Sequence, residues 1–388
     1  MANRIYFANQ QLAFRRDTDN SAGAYTVAHG VQSVAVTTTF NLEQAFELGQ
    51  LAIYENIEGV PDIELTATKV LDGYPLLYHL ATQEAAGHDR GPTLAGRSNA
   101  KCAVAIGIWP DTEDSTGKDT SNPVQQMECS GMFASSVSYS FPLEDNFTED
   151  ITLVGNDKGW KKAGSTEGVN CETPPWQMVT STGQFTTNAD APIGTGGVNR
   201  RENLAFNASS ASDAGGIQYT YLPTQIPGVD SNGWMNPVQQ TTNAHLQSIS
   251  VSCDLGREEL FELGTRQPYA RIVTFPVEVT CDIEVLSISG DMIDAYSDGC
   301  GDNTLACTGI VDNLENESIR IVTCEGTSIF LGDKNKLASV NYGGGDAGGG
   351  NVTVSYSYST FNDFTVLHPQ DPDASGTKWW NTRGTYLT

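Results

Sequence analysis

The chain has 388 residues, enough for two or three domains that each bury a core. Charged residues make up 18% and hydrophobic residues 39%, with no apolar run near the roughly 18 residues of a spanning helix, which argues against a disordered chain and a helical membrane protein. Lys+Arg 21 against Asp+Glu 47 leaves a net charge of −26, and a chain that repels phosphate is not expected to bind nucleic acid.

Residues 5–14 form a short apolar piece ending Leu12, Ala13, Phe14. In the next segment, residues 31–49 (VQSVAVTTTFNLEQAFELG), Val34 and Val36 alternate with Ala and Thr, the period of a half-buried strand. Asn41 with Gln44 has the form of a capping box, Leu42, Ala45 and Phe46 share one helical face, and Gly49 stands at a C-cap position, so the segment reads strand, short helix, stop. After Pro61, Ile63, Leu65 and Ala67 alternate with Glu64, Thr66 and Thr68, the pattern of an antiparallel strand with one wet, acidic face. Residues 71–82 (LDGYPLLYHLAT) read as an apolar strand or turn-strand, residues 101–110 as a further strand and residues 111–122 as an exposed acidic loop. The run DAPIGTGGVN, residues 190–199, has the composition of a linker between domains at 1–189 and 200–388.

Beyond it the chain begins again. Leu204, Ala205 and Phe206 repeat the opening, and residues 246–264 (LQSISVSCDLGREELFELG) match residues 31–49 without a gap at an offset of 246 − 31 = 215. That offset sets Gln32 against Gln247, Val36 against Val251, Glu43 against Glu258 and the run Phe46, Glu47, Leu48, Gly49 against Phe261, Glu262, Leu263, Gly264, and it carries on to Tyr54 with Tyr269 and Pro61 with Pro276. An insertion before this anchor includes IPGVDSNGWMNPVQQ, a loop by its turn chemistry. Val277, Val279, Cys281, Ile283 and Val285 then alternate with Glu278, Thr280, Asp282 and Glu284, in step with the first copy when Cys281 is set against Ala67 (281 − 67 = 214). IRIVTCEGTSIFL and LASVNY are strand-like, GGGDAGGG reads as a hairpin connection, and Val354 to Tyr358 echo Val137 to Phe141 at 354 − 137 = 217. One fold is written twice, and the chain is expected to be mainly β, with two tandem sandwich or barrel domains and a short flanking helix in each.

Chemistry is sparse. No phosphate loop, G-x-S-x-G elbow, H-E-x-x-H or CxxC occurs, and the Cys300 to Cys307 spacing fits no zinc pattern. The eight cysteines are not shared by the repeat, since Cys253 faces Thr38, so reduced, semi-buried thiols are expected. His29 and His245 precede the two anchors and are explained by the duplication alone; residues 294–303 (DAYSDGCGDN) break EF-hand spacing and read as a turn. Tyr139, Phe141, Tyr356 and Tyr358 lie on alternating runs and are expected to pack, while Trp160, Trp379 and Trp380 sit in polar surroundings suited to an intersubunit contact. No catalytic residue, metal or cofactor is expected, and the chain reads as no enzyme. Its N-terminus has no signal-peptide pattern, so synthesis in a cytoplasm is expected.

The two strand-helix-glycine runs, the alternating strands after Pro61 and Pro276, and the glycine-rich hairpin before VSYSYSTFNDFTV together resemble the tail tube (major tail) proteins of long-tailed bacteriophages and related tailed viruses. The resemblance implies two packed antiparallel sheets per unit, six units per ring with the inner sheets closed into a barrel lumen, and rings stacked into a tube. A doubled unit would then give a homotrimeric, pseudo-hexameric ring, with self-assembly and other tail proteins at the tube ends as partners, and no membrane. The location implied is the virion tail, assembled in the host cytoplasm, with DNA passing through without binding. On that reading the acidic strand face, including Glu64, Glu278, Asp282 and Glu284, lines the lumen. The alternatives are another viral capsid, decoration or secretion-tube protein, or a two-domain β-sandwich that binds or processes carbohydrate.

Overall fold

A computed structural model describes residues 7–16, 25–49, 51–82, 93–109, 125–162, 185–186, 197–206, 219–229, 245–265, 267–286, 315–343 and 350–368, with residues 5, 123, 233, 235, 290, 291, 293 and 345. In chain order the first half contributes β1 (Gln10–Arg16), β2 (Tyr25–Val27), β3 (Val31–Thr39), β4 (Leu42–Phe46), β5 (Ile53–Glu58), β6 (Asp62–Val70), α1 (Leu77–Ala81), α2 (Leu94–Arg97), β7 (Lys101–Ile108), β8 (Gln125–Pro142), β9 (Thr148–Gly155), β10 (Asp157–Lys162) and β11 (Phe185–Thr186). The second contributes β12 (His245–Asp254), β13 (Arg257–Leu260), β14 (Ala270–Val273), β15 (Glu278–Leu286), β16 (Arg320–Val322), β17 (Ser328–Phe330), β18 (Lys336–Gly343), β19 (Thr353–Phe361) and β20 (Thr365–Leu367). The chain is mainly β, as its alternating patterns predict.

Eight strands form one antiparallel sheet in the order β3-β6-β9-β8-β12-β15-β19-β18. The long β8 belongs to two layers: its first part pairs with β7 and β10, its last part with β9 and β12. Through β7 it reaches β1, β2 and β11, which form the outer layer of the first half. The outer layer of the second half is the smaller sheet β16-β17-β20.

Pairing registers show the duplication strand by strand. Val36 lies opposite Leu65, and its counterpart Val251 lies opposite Cys281, so β6 and β15 correspond at 281 − 65 = 216 and not at the 214 that side-chain alternation suggests. Leu65 pairs with Leu153 and Cys281 with Tyr358, which makes β19 the counterpart of β9; likewise Tyr139 and Tyr342 lie opposite Glu149 and Val354, which makes β18 the counterpart of β8. The similarity of residues 137–141 to 354–358 is therefore not positional. Both runs place aromatic and aliphatic residues in the core and serines outward, so one burial pattern recurs on non-equivalent strands. Register shifts also recur, at Gln32 and Gln247 and again between Ala134 and Ser136 and between Leu337 and Ser339. Gln32 donates to the Gly30 carbonyl and Gln247 to that of His245, so the first shift keeps its side-chain support in both copies.

The helix predicted within each anchor is the first strand of a β-hairpin: β4 with β5, and β13 with β14, in one register at the offset of 215. A run of about eight helix-forming residues is too short to hold a helix without packing, while Ile53, Tyr54 and Ile57, and Ile272 and Val273, supply a return strand. Asn41 does not cap; its Nδ2 donates to the Val60 carbonyl and to Asp62 and ties the hairpin base together. Gly49 and Gly264, at φ 94° and 97°, serve the hairpin turns.

Residues 77–81, expected in a strand, form α1. Leu77, Tyr78, Leu80 and Ala81 are all buried, so no helical period marks the segment. Its first amides, Leu77 N–H and Tyr78 N–H, donate to the buried Glu149 carboxylate at 2.6 and 3.0 Å, and the Tyr139 hydroxyl donates to the same group at 2.9 Å. Burial raises the Glu149 pKa, and these three hydrogen bonds oppose the rise.

The main apolar cluster is continuous across both halves, from Leu65 and Leu153 through Tyr139 and Val251 to Tyr356 and Ile321. The α2 amide of Leu94 donates to the Phe364 carbonyl, and Phe364 packs against Tyr78 and Tyr139. Of the linker expected at 190–199, residues 190–196 lie outside the described residues; Asn199 is buried, donates its N–H to the Leu71 carbonyl and accepts from the Phe147 N–H.

Candidate assembly surface

The eight-stranded sheet presents an apolar face to the core and a polar face to solvent. The outward residues along the central rows are hydroxyls and carboxylates: Ser33, Thr68, Asp150, Ser138, Ser252, Thr280 and Ser359 follow one another from strand to strand, and the next row runs Thr148, Ser140, Ser250, Asp282, Ser357. Glu64, Glu278 and Asp282 are exposed on this face and Glu284 is half-buried there, so all four carboxylates singled out from the alternation share one side of one sheet. Ser357 donates to Asp282 and Ser248 to Glu284, and Thr68 donates to Asp150. Lys336, at the start of β18, is the cation on this face among its described residues.

Among the described residues both outer strands of this sheet have an unpaired side: β3 pairs with β6 alone, and β18 with β19 alone. By the repeat, β3 corresponds to β12 and β18 to β8, the two strands that pair with each other where the halves meet. At that internal joint Ser250 lies opposite Ser140, Val251 opposite Tyr139 and Cys253 opposite Val137. Ile249, Val251, Cys253 and Leu255 are at most 2% exposed there, whereas their counterparts Val34, Val36 and Thr38 are half-buried and Phe40 is 69% exposed. Likewise Tyr139 is buried and Tyr342 is 49% exposed. An exposed strand edge with an apolar row beside it is an aggregation hazard unless something pairs with it.

The hairpins stand out from the ends of the sheet. Phe46, Leu48 and Tyr54 on the first and Phe261, Leu263 and Tyr269 on the second are exposed at equivalent positions, Leu48 and Leu263 fully so. The second hairpin also lies against the first half. Arg257 Nε donates to the Ala134 carbonyl at 2.8 Å with its guanidinium 5.1 Å from the Phe133 ring centre, and Arg271 reaches Asn156 at 3.1 Å and Asp62 at 3.4 Å. Burial lowers the Arg257 pKa to about 10. The first hairpin's base borders a cleft of about 550 Å³ lined by Phe40, Leu42, Val60, Asn156 and Gln267.

Among the described residues no cluster of three metal-ligating side chains occurs, and no helix is long and apolar enough to cross a membrane. Cys102, Cys129, Cys253 and Cys281 are buried thiols, and Cys324 is an exposed one; burial pushes the Cys129 and Cys253 thiols up to about 12. Tyr139, Phe141, Tyr356 and Tyr358 are core residues, as expected. Trp160 is 43% exposed on β10, whereas Trp379, Trp380 and residues 294–303 lie outside the described residues. The hairpin signal that the sequence reading missed was present in its β-branched and aromatic return strands.

No family model matches the chain, and no curated protein matches it. Solved structures similar to parts of it include a chain of the anti-feeding prophage tube-terminating cap, at 12% identity and TM-score 0.29 over 42% of this chain and 94% of that one. A chain of the anti-feeding prophage baseplate is similar at 11% identity and TM-score 0.29, over 42% and 100%. A chain of the sheath–tube complex of an extracellular contractile injection system, PVC, in its extended state is similar at 12% identity and TM-score 0.28, over 42% and 93%. Each likeness spans less than half of this chain.

Proposed function

We propose that the protein is a structural subunit of a viral tail tube, which polymerises by joining the free β18 edge of one copy to the free β3 edge of the next. The observation that carries this is that the two unpaired edges are the counterparts of the two strands already paired at the internal joint. Repeating that joint between copies buries the row Val34, Val36 and Phe40 against Val340 and Tyr342, and it leaves no free edge when the ring closes. The contact is heterologous and makes a ring when its rotation closes; closure at three copies supplies the six four-stranded units that the tail-tube resemblance implies. The hydroxyl and carboxylate face then lines the lumen, where Glu64, Glu278, Asp282 and Glu284 repel a passing phosphate backbone and offer it no cation row to bind. Rings stack through further heterologous contacts into a tube, and other tail proteins meet its ends. The chain acts by assembly and catalyses no reaction.

Carried over to the open edges, the internal registers predict the pairing between copies: Val36 opposite Tyr342, Thr37 opposite Asn341 and Thr38 opposite Val340. Directly opposed strand residues lie within the span that a disulfide bridges. Oxidation of Thr37→Cys/Asn341→Cys protein is therefore expected to give covalent trimers, seen as hollow rings with threefold symmetry by negative-stain microscopy. Single-cysteine variants control for the native thiols. A double variant that remains a monomer on denaturing gels, in preparations that contain rings, would falsify the edge pairing.

A further inference from the structure

The internal joint is more than strand pairing, because the β13–β14 hairpin also reaches back over the half it joins. Its positions have counterparts on the β4–β5 hairpin: Arg257 corresponds to Leu42, Arg271 to Asn56 and Val273 to Glu58. The surface it covers has counterparts at the open edge as well, with Phe133 matched by Lys336, Ala134 by Leu337 and Asn156 by Phe361. The chemistry differs between the two sets, although the Asp62 carboxylate that Arg271 reaches is kept in its counterpart Glu278. At the internal joint the hairpin carries the cations and the covered strand carries the ring and the acceptors. At the open edges the hairpin carries Leu42 and an exposed carboxylate, and the strand it would cover begins with an exposed lysine followed by leucine.

Resting on the edge pairing proposed above, we propose that the β4–β5 hairpin of each copy clamps the start of β18 in the next copy. In this clamp Leu42 packs on Leu337 and the Glu58 carboxylate pairs with the Lys336 ammonium. Leu42 and Phe40 are 61% and 69% exposed in the free chain, and Leu255, the counterpart of Phe40, is 1% exposed and donates its N–H to the Ser135 carbonyl. The equivalent bond runs from the Phe40 N–H to the Ala338 carbonyl of the next copy. The clamp adds a charge match to the one pairing that the open edges allow, since β8 and β12 are already joined within each copy, so the two halves alternate around the ring.

Charge exchange tests this. Lys336→Glu and Glu58→Lys each place like charges in the clamp. A weakening of about fivefold per joint, taken over the three joints of a ring, lowers the association constant of the ring by about a hundredfold; because that constant carries the inverse square of concentration for three copies, the concentration for half-maximal ring formation rises by about tenfold. Lys336→Glu/Glu58→Lys restores the attraction and returns that concentration to within about threefold of wild type, read by light scattering coupled to size exclusion and by ring counts in stained fields. Single variants that assemble like wild type, or a double variant no better than the singles, overturn the clamp. In those cases the Thr37→Cys/Asn341→Cys bridge still forms if the edge pairing is right, and its absence sinks the edge pairing instead.

Discussion

His368 follows β20, is buried, and has its ring 6.2 Å from that of His79. Burial, and after it the charges of His79 and Lys69, hold its pKa well below 6.5. Because the folded pKa is depressed, the stability this group confers is present above pH 6.5 and is lost as the pH falls below it, where the unfolded chain takes up a proton that the folded chain refuses. From an unfolded pKa of about 6.5, the loss through this one group between pH 7.5 and 5.5 comes to about 1.4 kcal/mol. Urea titrations of wild type and His368→Gln at the two pH values should show their stability difference narrowing by about that amount on acidification. An unchanged difference would mean that His368 is protonated, or solvated, in the folded protein. Nothing in the sequence marks this histidine, since its burial depends on α1 of the other half, whose His79 donates through Nε2–H to the Val366 carbonyl.

At the scale of elements, the repeat supplies its own controls, because one strand of each equivalent pair is covered and the other is open. Phe40 and Leu255 occupy one position in the two copies, the first exposed and the second in the main core. Leu255→Ser is expected to cost the isolated chain about 3 kcal/mol, from a cavity and a buried hydroxyl. Phe40→Ser should leave the melting temperature of the isolated chain within a degree or two and yet abolish rings, which calorimetry and microscopy on the same samples would show. A large loss of stability from Phe40→Ser would place that residue in the fold of the single chain and remove it from the joint. The strands β3, β6, β12 and β15 were legible because alternation with a period of two is imposed by burial on one face, whatever the partner. The hairpins were not, because Glu, Gln, Leu and Ala favour a helix locally and only the return strand decides otherwise. The correspondence of β8 with β18 was hidden for a related reason: register is a property of pairs of strands, and β8 shares with β19 only the demand for aromatics inward and serines outward.

For the whole molecule, the duplication was readable from the anchor alone, whereas the joining of both copies in one sheet and one core was not, since the match shows common descent and not contact. The sequence places a boundary at 190–199, but the β8–β12 ladder and the apolar cluster cross between the halves. Separating them uncovers Val137, Tyr139 and Phe141 on one side and Ile249, Val251, Cys253 and Leu255 on the other, each buried in the intact chain. Even partial exposure of seven such side chains costs on the order of 10 kcal/mol, which is comparable with the entire stability of a typical domain. Residues 1–199 and 200–388 expressed separately should therefore aggregate or associate with themselves, and co-expressed they should copurify one to one through a tag on either fragment. Two fragments that are each monomeric and melt cooperatively would show that the internal joint adds little, and a joint that adds little between covalently linked halves would not hold separate copies in a ring.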